Sequence, residues 1–161
     1  MPVQENNVMR LVRPILALAA VLTLTSLALA QSQVKITSDL FVMNEAVRQA
    51  EFTGNVVVVH PNVTVWAPKV VAIYGDGGTS DIRTFEASGG NVRLKTKDQD
   101  ATGERAIFTP ADQLLRLTGN VKVNNASGTV DASELVVNLQ TSVSTFTSTG
   151  GGRVTGIFTS Q

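Results

Sequence analysis

Phe52-Thr53-Gly54-Asn55-Val56-Val57-Val58 returns as Leu117-Thr118-Gly119-Asn120-Val121-Lys122-Val123, and in a looser form as Ala87-Ser88-Gly89-Gly90-Asn91-Val92-Arg93-Leu94. Each copy sets a Gly-Asn pair in front of a strand-like run. The segments downstream of the copies align as well: Val65-Trp66-Ala67-Pro68-Lys69-Val70 matches Val130-Asp131-Ala132-Ser133-Glu134-Leu135, with Asp100-Ala101-Thr102-Gly103-Glu104-Arg105 as a weaker middle copy. The repeating unit is therefore a pair of strands. Successive Gly-Asn-Val units lie 36 and then 29 residues apart, a period typical of stacked architectures. A two-strand unit cannot bury its apolar face alone, so neighbours must stack.

From Val34 to Phe146 the chain reads as short strands broken by Gly, Asn, Asp and Pro, with almost no helical periodicity. Residues 44–52 are the one stretch with a helical alternative, and they fit a turn into a strand as well. Charged residues assign the faces, because successive side chains of a strand point to opposite sides. Lys122 turns Val121 and Val123 inward, Arg93 does the same for Val92 and Leu94, and Arg116 for Leu115 and Leu117. Glu134 and Asn138 set Leu135, Val137 and Leu139 on the inner face. Phe52, Phe85 and Phe108 join this aliphatic interior, and Trp66 is expected to face out or to sit at a rim. The parity of residues 101–109 stays open: Arg105 argues for Ala106 and Phe108 inside, alignment with the third copy for Ile107.

Residues 1–30 read as a secretory signal peptide. Arg10 and Arg13 precede an uncharged apolar run from Ile15 to Ala30 that ends Ala28-Leu29-Ala30. The run is short for a bilayer span, which takes about 20 residues; the alternative is an uncleaved anchor. Residues 31–146 are expected to form one domain, and 147–161, rich in Gly, Ser and Thr, a mobile tail or a frayed last strand. Gly75–Asp81 reads as a flexible loop that supplies the extra length of the first repeat. Setting Arg10, Arg13 and Glu5 aside leaves 11 basic and 12 acidic residues, a net charge of −1. That balance supplies no electrostatic drive toward nucleic acid. The chain holds no cysteine, so thiolate chemistry and disulfide bracing are both excluded.

The residues do not assemble an enzyme. His60 is the single histidine, and followed by Pro61-Asn62 it reads as a turn residue; no Gly-x-Ser-x-Gly elbow accompanies it. Asp98-Gln99-Asp100-Ala101-Thr102-Gly103-Glu104 matches the start of a calcium loop, but Thr109 stands where the closing glutamate belongs. Gly75–Gly78 lacks the Lys-Ser/Thr of a phosphate loop. Asp98 and Asp100, two apart on one strand face, have the spacing a sugar lyase can use; with no basic partner evident they read as surface charge. No cofactor or metal is expected.

The repeated Phe/Leu-Thr-Gly-Asn-Val-x-Val phrase, each time followed by an apolar-x-Ala-x-x-apolar strand, resembles the OstA-like (LptA) family of lipopolysaccharide-transport proteins. The opening Val34-Lys35-Ile36-Thr37-Ser38-Asp39 is similar to the family's start, and the resemblance covers residues 34 to about 146. It implies an all-β fold, an antiparallel β-jelly roll whose open ends join molecules head to tail into homo-oligomers. It also implies a periplasmic carrier of lipopolysaccharide that bridges inner- and outer-membrane proteins of the same fold. The lipid-binding groove carried over is Val34 and Ile36 on the opening strand, Val56 and Val58 in the first repeat, and Leu115, Leu117, Val121 and Val123 in the third. The inward positions Phe52, Val92, Leu94, Leu135 and Val137 extend it. Two further readings compete: a polysaccharide-acting enzyme on a parallel β-helix, and a membrane-tethered or envelope scaffold without lipid carriage. Hairpin-sized repeats disfavour the β-helix.

Overall fold

The computed structural model describes residues 33–159, so the expected signal peptide lies outside the described residues. Twelve strands and one 3₁₀ turn, Gly78–Ser80, succeed one another with no α-helix among them. The strands are β1 (Lys35–Thr37), β2 (Leu40–Asn44), β3 (Gln49–His60), β4 (Val63–Tyr74), β5 (Ile82–Ser88), β6 (Val92–Lys95), β7 (Gln99–Gly103), β8 (Arg105–Thr109), β9 (Leu114–Asn125), β10 (Gly128–Asn138), β11 (Val143–Thr147) and β12 (Thr155–Phe158). Every pairing is antiparallel. This excludes the parallel β-helix.

The pairings resolve into two layers that share their four longest strands. In one layer the order is β1, the C-terminal half of β3, the N-terminal half of β4, β6, β7, the C-terminal half of β9, the N-terminal half of β10, and β12. The other layer runs β2, β3, β4, β5, β8, β9, β10, β11 through the complementary halves. Each long strand crosses from one layer to the other, so the described residues form one sheet folded along a crease. The Gly-Asn pairs mark that crease. Gly54 (φ 80°) and Asn55 (φ 46°) interrupt β3, and Gly119 (φ 83°) and Asn120 (φ 47°) interrupt β9, conformations open to Gly and tolerated by Asn. The β3–β4 and β9–β10 registers shift at these points, between Thr53 and Val56 and between Ala132 and Glu134. In the middle copy Gly89 and Gly90, both at positive φ, end β5 outright before β6 begins.

An acidic residue clamps each of the two bent corners. Asn55 Nδ2 donates to Asp39 Oδ2 at 2.7 Å and Asn120 Nδ2 to Glu104 Oε1 at 2.5 Å. The same two acids donate their backbone N–H groups to Gly54 and Gly119 oxygens, at 2.9 and 3.2 Å. Asp39 separates β1 from β2 as Glu104 separates β7 from β8, which makes the two positions equivalent. That equivalence settles the open parity. Ala106 is buried and Phe108 packs against the core, whereas Ile107 is only half-buried and pairs with outward Glu86 and Arg116. The middle copy therefore aligns one residue later than expected, with Ala101 taking the place of Val65 and Ala106 that of Val70.

Two other expectations change, and a third resolves between its alternatives. Gly75–Asp81 is a closed loop around the 3₁₀ turn, with Gly75 N donating to Asp81 O at 2.8 Å and Asp81 N to Gly78 O at 2.9 Å. Within 147–161, read as a mobile tail or a frayed last strand, β12 pairs with β10 from Gly128 to Asp131, which is the last-strand alternative. Asp100 does have a basic partner, because the cross-strand neighbour of its own hairpin, Arg93, donates Nε to Oδ1 at 2.8 Å and a second bond to Oδ2. The resulting bidentate pair holds the Asp100 carboxyl below its ordinary range. Arg93 also lies over the Trp66 ring, 5.3 Å from its centroid, which places Trp66 on the outer face.

Candidate functional site

The inner faces of the two layers meet in one apolar cluster. Leu94, Leu117, Leu135 and Ala101 are entirely buried, and Val56, Val92, Leu115, Val121, Val123 and Val137 nearly so. These side chains alternate with outward charges whose cross-strand pairs tile the outside: Lys69 with Glu51 at 2.9 Å, Arg105 with Glu86 at 2.7 Å, Arg116 with Glu134 at 2.5 Å and Lys122 with Asp131 at 2.8 Å. Exposed pairs of this kind add little stability each, about 0–1 kcal/mol; their effect is to fix which face is wet. Burying one Leu or Val contributes about 1.5–3 kcal/mol, so the inner face dominates.

Nine of the thirteen groove candidates thus sit in a closed interior. The other four are partly buried at the start of the stack: Val34 just before β1, Ile36 on β1, and Phe52 and Val58 on β3. An apolar cavity with about 30 Å³ of free space lies beside Val34, Val58, His60 and Phe108, room for water-sized molecules. Acyl chains do not fit it without movement of the layers.

The ends of the stack are different. Among the described residues β1 and β2 pair only with β3, and β11 and β12 only with β10, leaving an unpaired edge in each layer at each end. Apolar side chains gather there. Leu40, Phe41, Val42, Met43 and Val47 are exposed at the first end, and Val143, Ile157 and Phe158 at the last. Phe41 packs against Phe52 with tilted rings whose centroids lie 4.7 Å apart, so the interior continues out through the first edge.

Opposite the crease, the mouth between the layers is closed by different chemistry at its two ends. His60, buried, sits against Phe108 with centroids 5.5 Å apart, and its Nδ1 accepts from Asn62 N at 3.3 Å. Burial pushes its pKa below the ordinary value, so it closes the rim as a neutral ring. Farther along, Asn62 Nδ2 donates to Leu139 O at 3.4 Å, and Gln99 and Ser144 exchange hydrogen bonds across the layers at 3.0 and 3.4 Å. Periodicity does not single out the residues that build this mouth, since amides in turns look like ordinary connections. Among the described residues no cluster of three or more metal-ligating side chains occurs.

Residues 35–143 match the family model described as LptA/(LptD N-terminal domain) LPS transport protein. The chain belongs to this family. A protein of Rhizobium meliloti (strain 1021) described as uncharacterized is 31% identical over 125 residues, spanning 73% of this chain and 67% of its own length. The crystal structure of LptH from Pseudomonas aeruginosa, the LptA-homologous periplasmic component of a lipopolysaccharide transport device, superposes with a TM-score of 0.67. That match covers 80% of this chain and 96% of LptH at 16% identity. The folded antiparallel sheet is thus the family's β-jelly roll.

Proposed function

We propose that this family member acts in the periplasm as a carrier of lipopolysaccharide, holding acyl chains between its two layers and bridging inner- and outer-membrane transport proteins of the same fold. The observation that carries the reading is the pair of unpaired, apolar edges at the two ends of a continuous apolar interior. Edges of this kind are normally blunted against aggregation. Pairing with the edge of another jelly roll, in a second copy or a partner, would cover them and make the interiors continuous by β-augmentation. Each buried methylene contributes about 0.8 kcal/mol, so affinity is spread along the interior and sliding breaks no single strong bond. Carriage requires the layers to part at the mouth, where the cross-layer hydrogen bonds are few and neutral. No enzymatic step is part of this reading.

The closed interior favours one alternative, a membrane-tethered or envelope scaffold without lipid carriage. Photocrosslinking of the purified protein to lipopolysaccharide separates the two. Probes at Ile36 and Val58 are expected to capture lipid while probes at outward Arg93 and Lys122 do not. A folded protein that captures none at any of the four positions is a scaffold.

A further inference from the structure

Beside Val137 and Leu139 of the core, the mouth widens into a cleft of about 480 Å³ whose walls come from both layers, a size ordinary for small-ligand sites. One wall is the turn from Thr96 to Gln99, the other the segment Asn138–Ser144. Its chemistry is unlike that of the rest of the mouth. Amides and hydroxyls dominate, and the two charged groups, Lys97 and Asp98, lie 3.9 Å apart and offset one another. Asn138 spends its Oδ1 on the Gln140 and Thr141 N–H groups, both at 2.9 Å. Its Nδ2 donors, the Gln140 amide and the Ser142 hydroxyl have no protein partner among the described residues. Gln99 and Ser144, which bond each other across the layers, stand in the same cleft.

We infer that this cleft is a saccharide subsite, taking the hydroxyl- and amide-bearing sugar head of a lipid whose chains enter between the layers. The inference deepens the carrier reading and rests on it. Three features point to a sugar. Neutral donors and acceptors in a charge-balanced cleft match hydroxyl groups better than a phosphate or a metal ion. The floor is apolar core, so a molecule with its polar head here has its tail directed to Val137 and Leu139. A sugar that hydrogen-bonds Gln99 and Ser144 also replaces the bond those two make with each other, so that occupying the cleft loosens one of the few ties that close the mouth. Lipid head and lipid entry are thereby coupled.

The test is calorimetric titration of the full chain with fully deacylated lipopolysaccharide saccharide, comparing the wild type with the double variant Asp98→Ala/Gln140→Ala. Both side chains are exposed and outside the core, so the melting temperature of the variant should match the wild type. Saturable binding is expected for the wild type, weakened roughly tenfold in the variant by the loss of two polar partners. Absence of saturable binding to the wild type, or equal affinity in the variant, overturns the subsite. Crosslinking of intact lipopolysaccharide at Val58 keeps the two readings apart. Capture at Val58 without saccharide binding removes the subsite and leaves the carrier, whereas saccharide binding without lipid capture at either Ile36 or Val58 removes the carrier and with it the coupling of sugar head to lipid entry.

Discussion

Replacing Gly119 by alanine tests whether the crease is held by its acidic clamp. The residue lies at φ 83°, and a Cβ added there would meet Glu104 Oε2 at 2.6 Å and Glu104 Cβ at 2.7 Å. An L side chain in the left-handed region costs about 1–2 kcal/mol. Displacing Glu104 also breaks the charged hydrogen bond from Asn120 Nδ2, worth roughly 1.5 kcal/mol at an exposed site. The expected loss is about 2.5–3.5 kcal/mol, a drop of roughly 5–14 °C in melting temperature for a domain of this size. Gly90→Ala supplies the control, because Gly90 has a similar φ of 88° with no atom within 4 Å of its added Cβ; only the backbone cost of about 1–2 kcal/mol should appear. Urea titration followed by circular dichroism measures both. In a Glu104→Gly background, which removes the Cβ as well as the carboxylate, the cost of Gly119→Ala should shrink to that of Gly90→Ala, the signature of coupled neighbours. Equal losses for the two glycine variants, unchanged by Glu104→Gly, would refute the clamp.

The interior and its rim set the other expected outcomes. Leu117→Ala, at a site with no solvent exposure, should destabilise by about 2–5 kcal/mol in the same titration, and Leu117→Arg should prevent folding because the charge finds no partner there. The His60 pKa is lowered by burial, so the unfolded chain binds the extra proton first. Stability should therefore be full above about pH 6.5 and fall as pH drops from there toward the folded value, and His60→Leu should flatten that part of a pH–melting profile. The Asp100 carboxyl is held low by its bonds to Arg93. Its contribution is present above the ordinary aspartate range and is lost as pH falls through and below about 4. Asp100→Asn should lower stability at pH 7 and reduce the acid-limb slope, seen as melts that converge with wild type at low pH.

Family and fold were legible because the repeat writes itself twice in nearly the same letters, and because strand parity can be read from any charged residue in an alternating run. Lys122, Arg93, Arg116 and Glu134 were enough to turn every neighbouring Val and Leu inward, since a strand has only two faces. The corners were legible as Gly-Asn and not as corners: that Asn55 and Asn120 bend a continuous strand depends on Asp39 and Glu104, each 16 residues away. The one-residue offset of the middle copy is hidden because it shows only in burial: Ala101 and Ala106 stand where Val65 and Val70 do, and alanine is a weak mark of an inner face. The Arg93–Asp100 pair is invisible to composition although the two residues lie in one hairpin, because its register is set by the turn.

The sequence by itself determined the strand content, the inner and outer faces, the absence of cysteine and the family, all of which are local or periodic properties of the chain. Only the tertiary structure decided that the interior is closed in the middle and apolar at both ends, and that a polar cleft opens at the mouth. Those properties arise where two layers meet. Asn62 finds Leu139, and Gln99 finds Ser144, across 77 and 45 residues of chain, a distance over which no alternation or spacing carries information.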